Sequence, residues 1–218
     1  MKKGKKIIIG IIVALLVVVL VGYIYLFTGS KIKNVSNDVI KGEEGTKSLV
    51  IYFTRQGEIP GNVDAVSSAT QNSNEGMDGS DTEAAARMIQ SLTGADLYQI
   101  YTEHYYRKSF AGTAATAWIE EQLNLRPKLA AKPDNLDDYD TIYVGYPIWW
   151  FNAPMAIGSF LESYDLSGKT IVPFCTSQDN DISVSMDYIK EVASGANVLD
   201  GYRIHGADVD DVKEWLQR

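Results

Sequence analysis

The feature that most constrains this chain is an uncharged apolar run of 21 residues, Ile7–Phe27. An α-helix rises about 1.5 Å per residue, so this run is long enough to cross the ~30 Å hydrocarbon core of a bilayer. A cleaved signal peptide is the alternative, but its apolar core usually has about 7–15 residues. The run ends instead in Tyr23, Tyr25 and Phe27, which suit a membrane interface. We therefore predict an uncleaved transmembrane signal anchor over residues 7–27.

The charges around this run predict its orientation. Lys2, Lys3, Lys5 and Lys6 precede it, and no acidic residue occurs before Asp38. By the positive-inside rule, residues 1–6 form a cytoplasmic tail, and a single-pass cell membrane protein results with its C-terminal part outside the cytoplasm. Residues 28–47 lack apolar periodicity and predict a short tether. Residues 48–218 have the length of one domain.

Charge and cysteine content exclude several classes of function. The formal net charge is -8, and residues 31–218 contain 16 basic and 28 acidic residues, a net charge of -12. Such a domain repels a phosphate backbone, so we predict no nucleic-acid partner. The single cysteine, Cys175, excludes an internal disulfide framework and a thiolate-rich metal site. On a buried strand, this thiol is expected to be inert packing.

The rest of the chain alternates strand patterns with helix patterns. Strands are predicted at 48–54, 96–101, 140–146, 170–175 and 197–202, with helices at 82–92, 113–123, 154–164, 182–193 and 208–216. This alternation predicts an α/β domain, a doubly wound five-stranded parallel sheet with helices on both faces. Ligands of such sheets bind beyond the carboxyl ends of the strands, where the strand order reverses.

Hydroxyl and cationic side chains follow the first predicted strand and open the first helix of the domain. The strand continues into Thr54-Arg55-Gln56-Gly57, and the helix opens with Gly79-Ser80-Asp81-Thr82. Unpaired amides and the positive end of a helix favour an anion such as a phosphate. Helix capping alone is the alternative interpretation of Ser80, Asp81 and Thr82. The Gly-Lys-Ser/Thr sequence of a nucleoside triphosphate loop is absent.

Two further loops lie at the same predicted edge. The third strand runs into Gly145-Tyr-Pro-Ile-Trp-Trp-Phe151, and the fourth into Cys175-Thr-Ser-Gln-Asp-Asn-Asp181. Adjacent Trp149 and Trp150 are unlikely partners for one buried layer, so we expect at least one ring to face the cleft. A planar heteroaromatic ligand would stack on it. The polar loop after Cys175 could meet the polar edge of that ligand.

In these blocks the chain resembles the flavodoxin-like family, and most closely the bacterial flavodoxins that carry a Gly-Tyr-Pro-x-Trp-Trp loop. The resemblance covers about residues 48–218. It implies a five-stranded sheet in the order 2-1-3-4-5 and non-covalently bound FMN. The transmembrane helix predicted above would precede this domain. It places the phosphate at Thr54, Arg55, Ser80, Asp81 and Thr82, and the ring at Pro147, Ile148, Trp149, Trp150 and Thr176. We add the adjoining residues Gln56, Gly57, Phe151, Cys175, Ser177 and Asp181 as candidate cofactor contacts.

The resemblance implies an FMN-dependent electron carrier or quinone-type reductase, in which the cofactor performs the redox chemistry. The predicted location of the domain beside the bilayer suggests a membrane quinone or a surface electron-transfer protein as redox partner. Hydrolysis is not expected, because no Gly-x-Ser-x-Gly sequence is present and His104 and His205 have no motif around them.

Two alternatives remain open, and the residues argue against a third. A receiver-type signalling module shares the strand order, but Thr54-Arg55 and Pro147-Ile148 stand where its acidic residues are needed. A binding module of the same fold could have lost flavin, since Ser80-Asp81-Thr82 replaces the usual Gly-Asn-Thr and the loop Gln178–Asp181 has no glycine. Finally, Asp64-Ala-Val-Ser-Ser-Ala-Thr70 resembles the sequence at which extracytoplasmic flavoproteins receive FMN on a threonine, which would give a covalently flavinylated carrier.

Overall fold

We describe the protein from a computed structural model, which covers residues 2–33, 35–55, 81–107, 109–134, 136–204 and 209–217. In chain order the helices are α1 Lys2–Phe27, α2 Asp81–Thr93, α3 Phe110–Gln122, α4 Met155–Leu161, α5 Ser183–Val192 and α6 Val209–Leu216. The strands are β1 Ser48–Phe53, β2 Asp96–Ile100, β3 Thr141–Pro147, β4 Thr170–Thr176, β5 Asn197–Val198 and β6 Tyr202–Ile204.

All pairs in the sheet are parallel, and its order is β2-β1-β3-β4-β5, as predicted. The predicted single fifth strand is wrong in one respect, because the structure divides it into β5 and β6, which both pair with β4. The division falls at residues 199–201. There, Gly201 approaches the start of α5 so closely that an added Cβ would lie 2.5 Å from Ile182 Cδ1.

Helices cover both faces of the sheet, and β1 alternates its side chains between them. Leu49, Ile51 and Phe53 join a cluster that includes residues of α4 and α5. Val50 and Tyr52 join a second cluster with residues of α2 and α6. This three-layer arrangement buries β1 on both faces, which explains its continuous apolar sequence.

Two helix boundaries differ from the predictions by about one turn. Helix α3 begins at Phe110 instead of residue 113, because the Ser109 hydroxyl accepts a hydrogen bond from the Gly112 amide (3.1 Å) and caps the helix earlier. Helix α4 ends at Leu161 instead of residue 164. Pro154 stands at its N-cap, one position before the helix.

Helix α1 is separate from these layers over most of its length. Its segment Ile7–Phe27 has a mean hydropathy of 3.3 and none of it is buried inside the structure, so it is long and apolar enough to cross a membrane. Its C-terminal end contacts the domain: the Arg107 guanidinium carbon lies 4.3 Å from the centre of the Tyr25 ring.

The segment after α1, predicted as a tether, lies against the domain at several points. Ile40 forms an antiparallel bridge with Leu97 of β2 through two backbone hydrogen bonds of 2.8 Å. Asp96 accepts hydrogen bonds from the Gly42 amide and the Lys41 ammonium, both at 2.8 Å. Burial raises the pKa of Asp96, but these hydrogen bonds outweigh it and the pKa is lowered overall. Residues 40–42 are thus fastened to an edge strand of the sheet.

Candidate functional site

The predicted site residues that the structure describes all follow strands or begin helices at one edge of the sheet. Thr54 and Arg55 follow β1, and Asp81 and Thr82 open α2. Residues 147–151 and 175–177 end or follow the neighbouring strands β3 and β4, whose last paired residues are Pro147 and Thr176. Gln56, Gly57, Ser80 and the Thr70 motif lie outside the described residues. The parallel sheet therefore brings the described members of the set to its carboxyl edge.

A buried hydroxyl pair joins α2 to the sheet. The Thr82 and Thr176 hydroxyl oxygens are 2.6 Å apart, and both side chains are buried. Thr54 is also fully buried at the end of β1, between β2 and β3. This contact fixes the beginning of α2 beside the ends of the central strands.

Arg55 places a positive charge at this edge. Its side chain is only 3% exposed, and one terminal guanidinium nitrogen donates a hydrogen bond of 2.9 Å to the Thr113 hydroxyl of α3. That hydroxyl in turn donates to the Arg107 carbonyl oxygen (2.6 Å). A guanidinium oriented in this way offers the planar donor geometry that matches a phosphate. Thr113 was not among the predicted site residues, because its role depends on the packing of α3 against β1.

The aromatic residues after β3 form a tight turn. The backbones of Trp149 and Asn152 exchange two hydrogen bonds of 2.9 Å, and the intervening Trp150 and Phe151 have φ angles of 51° and 62°. Positive φ at both central positions is typical of a type I′ turn, which usually contains Asn or Gly. Two aromatic residues in this conformation cost free energy, and such local strain is concentrated at functional sites.

The two tryptophans of this turn have different environments. Trp149 is partly buried and makes edge contacts with Phe53 and Tyr106, with ring centres 5.4 Å and 5.2 Å apart. Trp150 is 46% exposed, and its indole nitrogen donates a hydrogen bond of 2.8 Å to the Ala114 carbonyl oxygen. An exposed ring held by a hydrogen bond on a fixed turn is a suitable stacking platform. The structure thus places one indole in the domain and leaves the other accessible.

The residues after β4 divide between the core and the surface. Cys175 is fully buried, and burial raises the pKa of its thiol to about 12, so the side chain is inert packing as expected. The Ser177 hydroxyl accepts a hydrogen bond from the Asn180 amide (2.9 Å), which shapes the loop. The exposed Asp181 carboxylate accepts hydrogen bonds from Ser183, which lower the pKa of this carboxyl. The Asp181 side chain is therefore engaged at the beginning of α5.

Comparison with known proteins agrees with this architecture. A family model described as Flavodoxin matches residues 76–218. A solved protein assigned as a flavoprotein from Bacteroides uniformis is 30% identical, with a TM-score of 0.64, over 80% of this chain and 100% of its own. A second, from Bacteroides eggerthii, is 28% identical, with a TM-score of 0.63, over 78% of this chain and 96% of its own.

A more distant structure shares the fold. A Lactobacillus acidophilus flavoprotein solved in complex with FMN is 21% identical, with a TM-score of 0.54, over 78% of this chain and 98% of its own. No curated protein matches the chain. The family model covers well over half of the sequence, and the sheet order and the polar carboxyl edge agree with it. The chain belongs to the flavodoxin family.

Proposed function

We propose that this protein is a membrane-anchored flavodoxin that binds FMN at the carboxyl edge of its sheet and transfers electrons outside the cytoplasm. The observation that carries the proposal is the combination of buried Arg55 with the accessible Trp150 ring at one edge of the sheet. An anion-binding side chain and an aromatic platform are the two elements that a flavin mononucleotide requires. The FMN complex of the Lactobacillus acidophilus flavoprotein supports the same assignment.

The residues present fit the two ends of this cofactor. Arg55 and the N-terminal amides of α2 would hold the phosphate, and the Thr82 and Thr176 hydroxyls lie beside them. The turn that carries Trp150 would cover the ring, since its backbone hydrogen bonds fix the position of the indole before the ligand binds. When bound, FMN would supply one-electron and two-electron redox chemistry, and the protein would bind and orient it.

The helix that precedes the domain supports a membrane anchor. Helix α1 exposes apolar side chains along its length, and its last turns contact the domain. Four lysines precede the span, which favours a cytoplasmic N-terminus and an extracytoplasmic domain. A membrane quinone or a surface electron-transfer protein is the redox partner that this location suggests.

FMN titration of the purified full chain in nanodiscs tests the cofactor assignment. We expect saturable binding with flavin absorbance, and at least tenfold weaker binding for Trp150→Ala, because stacking adds about 0.5–1.5 kcal/mol to the lost burial. Trp118→Ala is the matched control, since Trp118 is similarly exposed but belongs to the outer face of α3. A wild-type protein that takes up no FMN would instead support a binding module without flavin. Intact mass of protein made with its native maturation machinery tests covalent attachment at Thr70.

A further inference from the structure

A cavity of about 310 Å³ lies between the C-terminal end of α1 and the domain. Tyr23, Leu26 and Phe27 of α1 line one side. Residues 102–106 after β2, residues 125–128 after α3, and Thr116 and Glu120 of α3 line the other. Its volume is at the lower end of the range of small-molecule pockets, ~300–1,000 Å³. None of the predicted FMN contacts that the structure describes lines it, so it is distinct from the described part of the candidate FMN site.

The cavity lies at the level where the apolar helix ends. The candidate span finishes at Phe27, whose ring stacks on Tyr23 with the ring centres 5.0 Å apart. Aromatic residues at this position mark the membrane interface. A ligand in the cavity is therefore adjacent to the bilayer, and a long apolar tail on that ligand could remain among the lipids.

Glu120 and Tyr106 form a buried hydrogen-bonded pair in the lining of the cavity. The Tyr106 hydroxyl donates a hydrogen bond of 2.8 Å to the Glu120 carboxyl, which is only 5% exposed. Burial raises the pKa of Glu120 to about 7, although the hydrogen bond from Tyr106 acts in the opposite direction. Within the described part of the chain, no lysine, arginine or histidine forms an ion pair with this carboxyl.

The other charged groups that line the cavity have partners elsewhere. Arg126 forms two hydrogen bonds of 2.7 Å with Glu162. Lys128 pairs with Glu103 at 3.3 Å, and the His104 Nδ1 atom lies 2.7 Å from the Gly29 carbonyl oxygen. A phosphate headgroup would therefore find these cations engaged and would face a carboxyl group. A neutral ligand with hydrogen-bonding oxygens fits the remaining polar groups better.

Tyr106 also connects the cavity to the candidate FMN site. Its ring makes edge contacts with Trp149 and Phe53, with ring centres 5.2 Å and 6.0 Å apart. Trp149 begins the turn that presents Trp150. One layer of aromatic side chains thus separates the cavity from the residues assigned to the flavin ring.

We propose that this cavity binds the 1,4-quinone headgroup of a membrane quinone, with the Glu120 carboxyl, held in place by Tyr106, as its hydrogen-bond donor and its apolar tail in the bilayer beside α1. This inference rests on the proposed membrane-anchored function and names the site of its redox partner. A quinone oxygen only accepts hydrogen bonds. It therefore prefers the protonated Glu120 carboxyl, and binding weakens when Glu120 ionises.

The test is binding of decylubiquinone to the full chain in phosphatidylcholine nanodiscs, with and without FMN, at pH 6 and pH 8.5. We expect about three- to tenfold weaker binding at pH 8.5 for the wild type, the value of one net hydrogen bond. Glu120→Gln should remove this pH dependence, because an amide donates at both pH values. The matched control Glu121→Gln should behave as the wild type. His104→Gln should keep the dependence, which excludes the imidazole as its source.

A photoreactive azidobenzoquinone with a decyl tail locates the binding site directly. Labelling of peptides that contain residues 102–107 and 116–128 supports the proposal. Labelling of residues 147–151 that FMN prevents would overturn it, because the quinone would then occupy the flavin site. Displacement by phosphatidylglycerol, with no effect of Glu120→Gln, would overturn it in favour of a lipid headgroup. The FMN titration above is scored separately, so failure of the quinone site leaves the flavin assignment standing.

Discussion

Helix α1 and strand β1 are both continuous apolar runs, yet the side chains of α1 are exposed and those of β1 are buried. The aliphatic side chains of α1 from Ile7 to Ile24 are 48–68% exposed, whereas Leu49–Phe53 of β1 are at most 1% exposed. Both sequences avoid water, so hydrophobicity alone does not distinguish them. Length does: 21 residues match the thickness of a bilayer, and 5–6 residues match a strand between two layers of helices.

The two elements differ in what pairs with the backbone and what covers the side chains. For β1, both partners belong to the domain: β2 and β3 pair with its backbone, and the two helix layers cover its side chains. The backbone of α1 is satisfied within the helix, but the described part of the domain leaves most of its apolar side chains exposed, as expected for a membrane span. The same charge introduced into each run should therefore have different consequences.

The largest expected effect comes from this matched pair of substitutions. Ile51→Asp places a carboxylate in the fully buried cluster that includes residues of α4 and α5, and we expect the domain not to fold. Leu15→Asp places the same group near the middle of α1, where it costs about 2.5–3.5 kcal/mol of membrane insertion. We expect it to move the protein out of the membrane fraction while the melting temperature of the domain is unchanged. Circular dichroism melting and membrane fractionation measure the two outcomes.

A lower melting temperature of the domain in Leu15→Asp would contradict this contrast between α1 and β1. Such a result would mean that α1 packs against the folded domain along its length, and that its exposed surface is not reserved for lipid. Leu15→Ala serves as the control, since it shortens the side chain without adding charge and should retain both membrane association and the melting temperature.

The sequence pattern predicted β1 and the parallel sheet, because strands buried on both faces have a continuous apolar pattern. The order 2-1-3-4-5 was implied by the resemblance to the flavodoxin-like family, and the structure has it. Docking of residues 40–42 was not predicted. The segment has no apolar periodicity, and its attachment depends on an edge strand and on Asp96, a residue distant in sequence. The break between β5 and β6 was missed for a similar reason, since it follows from the approach of Gly201 to α5.

The candidate site was predicted less completely than the fold. The resemblance named Arg55 and the two tryptophans, and the structure places all three at the predicted edge. It did not indicate that Thr113 orients Arg55, or which indole would remain exposed. Glu120 was not singled out, because a glutamate in a modest helix is usually solvated. Only the packing of Tyr106 and the end of α1 makes this carboxyl unusual.

A smaller effect on the free energy of unfolding is expected from a substitution at Glu120. This residue lines the cavity between the end of α1 and the domain. Its folded pKa of about 7 exceeds the ordinary value of 4.5, so the folded state holds the proton more tightly than the unfolded state. The stabilising contribution of the Glu120 proton is therefore fully present below pH 4.5 and is lost as the pH rises through about 7. We expect Glu120→Gln to increase the free energy of unfolding by roughly 2–4 kcal/mol at pH 8 and by little at pH 4.5.

Urea unfolding of the nanodisc-embedded protein at the two pH values measures this difference. Glu121→Gln is the neighbouring control and should change stability equally at both pH values. A gain from Glu120→Gln that is the same at pH 4.5 and pH 8 would contradict the buried, titrating carboxyl. It would also mean that the face of α3 that carries Glu120 is solvated, and that the buried core ends closer to the sheet.

The smallest effect is expected at Phe151, which is 67% exposed and so resembles α1 more than β1, although it belongs to the domain. Its φ of 62° lies in the left-handed region, which costs an L-residue roughly 1–2 kcal/mol, and its ring gains little from burial. Asparagine is several-fold enriched in this region. We therefore expect Phe151→Asn to stabilise the domain by up to about 1 kcal/mol in urea unfolding without FMN. The control Phe110→Asn changes an equally exposed ring at the start of α3, without the positive φ, and should not be stabilising. If Phe151→Asn instead destabilises the domain, the ring contributes packing that its exposure does not indicate. Exposure alone would then not show that an aromatic residue of the domain is unimportant for stability.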